Sequence, residues 1–142
     1  MEELQEKSLQ HEPARIDIGN AVTPFAELDP EVKLALHCAS DKKATDIRVL
    51  DLRDVASFAE FFIIASGNNQ RQVQAVCDDI NERLKKELNS RPVRIEGYNS
   101  AEWVLMDYGD FIVHIFDKDA REFYDLERLW RDARRVDLPD EI

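Results

Sequence analysis

The chain has 142 residues, enough for one domain with a substantial core, and 44% of them are hydrophobic, which excludes wholesale disorder. Its 19 Lys and Arg stand against 30 Asp and Glu, a formal net charge of −11. That balance argues against a protein whose main task is gripping nucleic-acid phosphate or an anionic membrane surface, since both draw on Lys and Arg.

Residues 1–28 hold six acids against Lys7 and Arg15 and are interrupted by Pro13, Gly19 and Pro24. Their apolar periodicity is weak, so they read as a flexible acidic leader with one short helical turn at its start. Met1 to Glu6 lacks both a basic start and an apolar run, and the longest wholly apolar window, Phe61 to Ala65, is far too short for a membrane span. The expectation is a cytoplasmic protein. Cys38 and Cys77 lack Cys-x-x-Cys spacing and read as reduced thiols packed as small hydrophobes.

The domain is predicted to begin at Asp29-Pro30, an N-cap followed by proline at the first helical position. Val32, Ala35, Leu36 and Ala39 repeat at helical spacing until about Asp41 to Lys43. Thr45 to Arg53 alternates as a strand, and the apolar run Phe61 to Ala65 reads as a central strand buried on both faces. Ser66-Gly67-Asn68-Asn69 breaks it. Val73, Val76, Cys77, Ile80, Leu84 and Leu88 then form one helical stripe, capped by Asn68 or Asn69 and stopped by Asn89-Ser90-Arg91-Pro92.

Three short strands follow at Val93–Glu96, Trp103–Asp107 and Phe111–Phe116, the last two joined by a Tyr108-Gly109-Asp110 hairpin turn. Asp117 or Asp119 caps a last helix predicted to run to about Ala133, with Phe123, Leu126, Trp130 and Ala133 on one stripe. The fold class is α/β, with a mixed five-stranded sheet and about three helices. The boundaries are a leader over 1–28, a domain over 29–135 and a charged tail over 136–142.

Chemistry-bearing patterns are sparse. Gly67, Asn68 and Arg71 lie where a strand turns into a helix, a place where backbone N–H groups can hold phosphate, and Asp107 and Asp110 are the nearest carboxylate pair. They support an alternative reading as a phosphate- or nucleotide-binding enzyme of nucleotidyltransferase-like fold. That chemistry needs two acids flanking one apolar residue on a strand, whereas Asp78 and Asp79 are adjacent on a helix and diverge by about 100°. Turn and cap roles account for all of these residues. The histidines His11, His37 and His114 lack ligand spacing, so no metal or other cofactor is expected. The strands and last helix of the C-terminal half carry apolar groups on both faces. This fits either a double-sided core or a docking surface.

Several motifs together resemble one family. Phe61 to Gly67, Arg71-Gln72-Val73, Glu96-Gly97, Trp103 to Asp110, and Phe123-Tyr124-x-Leu126-Glu127-x-Leu129-Trp130 resemble the ribosomal silencing factors (RsfS, or Iojap) in order and spacing, across residues 29–135. The resemblance implies a non-enzymatic translational repressor with a nucleotidyltransferase-like topology lacking the catalytic acids. It implies docking on the large ribosomal subunit through ribosomal protein number fourteen, obstruction of small-subunit joining, and a homodimer when free. It places Trp103, Met106, Tyr108, Gly109 and Asp110 at or near the contact, with Asp107, His114 and Tyr124 as further candidates. Residues 29–142 are themselves acidic, with 24 acids against 17 bases. A basic ribosomal protein, with RNA avoided, suits that charge as a landing site.

Overall fold

Alternating apolar residues give the central strands two buried faces, and the architecture follows from covering both. The computed structural model describes residues 1–13 and 22–142. In chain order it contains helix α1 (Glu3–Ser8), strand β1 (Val22–Pro24), helix α2 (Pro30–Asp41), β2 (Thr45–Asp51), β3 (Phe61–Gly67) and helix α3 (Gln70–Leu88). Then come β4 (Arg94–Glu96), β5 (Trp103–Asp107), β6 (Phe111–Asp117), the short helices α4 (Lys118–Tyr124) and α5 (Leu126–Leu129), and β7 (Arg134–Asp137).

The strands form one mixed sheet in the order β1-β7-β2-β3-β6-β5-β4. β3 and β6 pair in parallel, while β5–β6, β4–β5 and β2–β3 are antiparallel. The sheet therefore has seven strands where five were expected. β1 lies in the segment read as leader, and β7 straddles the expected boundary between domain and tail: Val22 pairs with Arg135 and Thr23 with Val136. Each is too short to carry a periodic signal and is a strand only through its distant partner.

One face of the sheet is aliphatic. Val49, Phe61, Ile63, Val104, Met106, Val113 and Ile115 meet Val32, Ala35 and Leu36 of α2 and Val73, Val76, Ile80 and Leu84 of α3. Asn69 caps α3, its side chain accepting from Gln72 N at 2.9 Å, and Asn89 ends it in a left-handed conformation. Leu88, at the end of the expected stripe, is exposed. Cys38 and Cys77 are free and buried in this core, and burial pushes both thiols up to about 12. The other face is aromatic, with Phe62, Trp103, Phe116 and Trp130 beside Ile64, Leu105, Ile112 and Leu126. It is covered by α1, α4, α5 and the loop carrying Val55, Ala56 and Phe58. The surplus apolar surface is thus a double-sided core.

Two expectations need correction. The last helix does not run to Ala133: Asp117 caps it as expected, but Asp125 adopts φ 47°, ends α4, and sends the chain through α5 into β7. The leader is not free where it is described. Gln5 and Ser8 are buried against the domain, and Thr23 of β1 donates to the buried Asp51 carboxylate at 2.6 Å. Burial alone would raise that carboxyl, but hydrogen bonds from Arg53 and Thr23 hold it below its ordinary value. In the expected tail, Val136 is buried and Leu138 and Ile142 pack on the aliphatic core. Residues 14–21, the remainder of the expected leader, lie outside the described residues.

Candidate functional site

The residues singled out from sequence fall into two groups on opposite sides of the sheet. Alternation along β5 sends Trp103 and Leu105 into the aromatic face and Met106 into the aliphatic face. Met106 is fully buried and Trp103 is 3% exposed, so neither is free surface in this structure. The Trp103 ring lies 5.1 Å from Phe116 and 4.9 Å from Tyr124, and its Nε1–H donates to His114 Nδ1 at 3.1 Å.

That bond fixes the state of His114. An indole nitrogen only donates, so Nδ1 must be the acceptor and the imidazole proton sits on Nε2. Among the described residues Nε2 has no hydrogen-bond partner, and the ring stands edge-on to Phe62 at 4.4 Å. With the side chain fully buried, desolvation pushes its pKa down to about 3. His114 is a neutral core residue, reachable by a partner only through Trp103 and its neighbours.

The hairpin turn is more accessible. Gly109 has φ +88° with open space where a Cβ would stand, and its N–H donates to Asp107 Oδ1 at 2.8 Å. Asp110 is exposed, while its carbonyl accepts from Glu60 N and ties the turn to the loop before β3. Tyr108 is half-buried, stacks on Phe111 at 4.8 Å and 6° between planes, and leaves its hydroxyl unpaired among the described residues. Burial pushes its phenol well above the ordinary value.

A residue missed as surface lies toward the Trp103 end of β5. Phe123, read as part of a buried helical stripe, is 80% exposed, because the break at Asp125 ends that helix before the stripe can continue. Its ring is 5.0 Å from Tyr124, which in turn rests on Trp103. Exposed Phe123, half-buried Tyr124 and covered Trp103 form an aromatic stair from solvent into the core.

The phosphate alternative finds its residues engaged otherwise. A Cβ at Gly67 would meet Val73 Cγ2 at 2.9 Å, so the glycine serves the close approach of β3 to α3. Asn68 N–H donates to Gln72 Oε1, and Gln72 N–H to Asn69 Oδ1, so these donors satisfy each other. Arg71 is exposed. Among the described residues no group of three or more His, Cys, Asp and Glu is placed to hold a metal, and no helix is long and apolar enough to cross a membrane.

Comparison with known proteins bears on this arrangement. The family described as "Ribosomal silencing factor during starvation" matches residues 26–142. Proteins named ribosomal silencing factor RsfS from Halalkalibacterium halodurans and Bacillus subtilis are each 41% identical over 107 residues, 75% of this chain and 91% and 90% of theirs. The chain belongs to the ribosomal silencing factor family. A chloroplastic Protein Iojap from Zea mays is 33% identical over 143 residues, covering 96% of this chain and 61% of its own. Crystal structures of proteins from Bacillus halodurans and Chromobacterium violaceum superpose with TM-scores of 0.66 and 0.68 at 38% and 36% identity. They cover 75% and 78% of this chain and 96% and 88% of theirs. The hairpin turn, the aromatic stair and both sheet faces lie inside the family match; α1 and β1 lie before it.

Proposed function

We propose that the chain is a non-enzymatic silencing factor that docks on the large ribosomal subunit through ribosomal protein number fourteen and blocks small-subunit joining by occupying the shared surface. The observation that carries this reading is the family match over residues 26–142, with 41% identity to relatives aligned over nine-tenths of their length. On this reading the domain is a nucleotidyltransferase-like scaffold used as a docking block, cytoplasmic, and homodimeric when free.

The contact residues proposed for it are those of the hairpin turn, Asp107, Tyr108, Gly109 and Asp110, and those of the aromatic stair that ends in Trp103, at the other end of the β5–β6 pair. Met106 and His114 support them from within. Steric exclusion requires no bond to break, only an interface that outlasts the competing encounter. An aromatic anchor buried on docking contributes about 2–4 kcal/mol as a hot spot. Carboxylates such as Asp110 act mainly on encounter rate and register with a basic partner.

Sedimentation of purified large and small subunits on sucrose gradients, with and without the protein, tests the reading. The protein should travel with the large subunit and lower the joined fraction. Unchanged subunit joining would sink the proposal. Phe123→Ala should keep the parent melting temperature and weaken large-subunit binding about tenfold or more, the loss of one modest anchor. Asp110→Ala should slow association at low salt and matter little at high salt.

A further inference from the structure

Strands β2 and β7 meet at only two register positions, Leu50 with Arg135 and Asp51 with Arg134, while β7 goes on to pair with β1 through Asp137. Past Arg135 the two strands part, and a cleft of about 1080 Å³ lies between residues 46–50 of β2 and residues 136–142. Small-molecule sites typically enclose roughly 300–1,000 Å³, so the cleft is large enough for one. Ile47, Leu138 and Ile142 line it and pack on the aliphatic core. Gly67 and Arg71 do not line it, so it is separate from the strand-to-helix turn considered above.

Three arginines form the other wall. Arg48 stands opposite Ile64, and Arg135 opposite Leu50, so alternation sets both on the aromatic side of the sheet. Arg131 enters the cleft from the turn that carries Trp130. Elsewhere Arg53, Arg83, Arg94, Arg121 and Arg134 each pair with a carboxylate. Among the described residues Arg48 and Arg131 reach only backbone carbonyls, at 3.4 and 3.3 Å, and Arg135 has no side-chain partner. Glu127, which also lines the cleft, is held by Arg121 at 2.9 and 3.1 Å. Asp137 shares the face of Arg135 by alternation and carries no Lys or Arg partner among the described residues.

We propose that this cleft binds a nucleoside polyphosphate. Arg48, Arg131 and Arg135 take the phosphates, whose oxygens match the forked donors of a guanidinium. The Asp137 carboxylate accepts from the ribose hydroxyls, and the apolar residues cover the base. Asp46, Asp140 and Glu141 also line the cleft and are exposed, and Leu138 and Ile142 anchor the last two on the aliphatic side, across from the arginines. A long polyanion would have to cross these acids on a chain of net charge −11, whereas a small ligand sits within the arginine wall. The charge pattern therefore favours a free nucleotide over a nucleic-acid strand. β2 and β3 separate the cleft from the β5–β6 hairpin, and the inference does not rest on the function proposed above.

Calorimetric titration of the full-length chain with ATP, GTP and inorganic tripolyphosphate, in EDTA, tests it. At least one nucleotide should saturate a single site and bind about fivefold or more tightly than tripolyphosphate. Arg48→Gln and Arg135→Gln should each weaken that binding about tenfold, the loss of one charge-assisted contact. Arg91→Gln, in the turn before β4, should leave it unchanged. Asp137→Asn should weaken the nucleotide but not tripolyphosphate. Arg48 is exposed on β2, so its variant decides the matter if Arg135→Gln does not fold.

No binding of either nucleotide overturns the inference, as does tripolyphosphate bound equally tightly or equal weakening by Arg91→Gln. A short single-stranded RNA bound more tightly than both nucleotides overturns it too, in favour of a nucleic-acid contact. If a nucleotide binds as described while subunit joining is unaffected by the protein, only the function proposed above falls.

Discussion

The two faces of the sheet are buried to the same degree and are built differently. The aliphatic face is closed by α2 and by the 19-residue α3 through branched and small side chains. The aromatic face is closed by a six-residue helix, two short helices and a loop, and is tied together by hydrogen bonds that indole and amide groups donate to an imidazole and to backbone carbonyls. Aliphatic contacts are numerous and non-directional, so a face built from them tolerates little except continued closure. Directional polar contacts on rings can be exchanged for equivalent ones from another molecule. On the function proposed above, stability belongs to the first face and recognition draws on the second.

The sharpest way to break that division is to damage each face in turn. Phe62→Ala should cost about 3–5 kcal/mol and Ile80→Ala about 2–5 kcal/mol, measured as urea midpoints. Only Phe62→Ala should also speed tryptic cleavage after Lys7 under native conditions, because Phe62 supports Trp130. Equal acceleration in both variants would mean that residues 1–13 report global stability alone.

Gly97→Ala comes next. Gly97 has φ +78°, and an added Cβ there would collide with the Trp103 carbonyl and crowd Gln5 Nε2. A loss of about 3 kcal/mol is expected, with release of α1 from β5. A variant as stable as the parent would show that β4 and β5 shift without consequence.

The buried histidine sets a pH signature on the aromatic face. His114 is held neutral to about pH 3, whereas in the unfolded chain it takes a proton near its ordinary 6.5. Between those values the unfolded state binds more protons. Stability should therefore be intact above about pH 6.5 and fall as pH drops, with a slope of at most about 1.4 kcal/mol per pH unit from this group. Urea melts at pH 7, 5.5 and 4.5 should show a shallower fall for His114→Gln than for the parent. Identical slopes would place the titration elsewhere.

The smallest expected effect is that of Gln5→Ala, which removes one buried hydrogen bond to the Trp103 carbonyl. It should cost about 1 kcal/mol and raise hydrogen exchange in α1 while leaving α3 unchanged.

What the sequence made legible follows the same division. The stripe of α3, the buried run of β3 and the Tyr108-Gly109-Asp110 turn declare themselves, because periodicity and turn chemistry are local. The mixed sheet follows from them. β1 and β7 stay hidden because Val22 and Val136 acquire their meaning only from each other, and Arg134-Arg135 reads as surface until it is paired. The break at Asp125 is invisible because a helical stripe over Phe123, Leu126 and Trp130 continues across a residue whose φ alone ends it. At the candidate site, the side on which each β5 residue falls is legible from alternation. The burial of Trp103 is not, since the cover it meets comes from Tyr124 and from residues 1–13. Glu96-Gly97 carried a signal as a motif whose physical role, accepting α1 and admitting the Trp103 carbonyl, needed the fold.

The pairing of β1 with β7 and the bond from Trp130 to Ser8 span almost the entire sequence, the latter across 122 positions. Closing so long a loop is slow, and its entropy cost falls before any contact repays it. During synthesis α1 emerges before Trp130, Asp132 and β7 exist to receive it. The interior of the domain, from α2 to β6, can assemble on shorter loops while the aromatic face stands uncovered. Every newly made chain thus passes through an open form before residues 1–13 fold back onto Trp130; the segment that covers the aromatic face is made well before the residues that hold it.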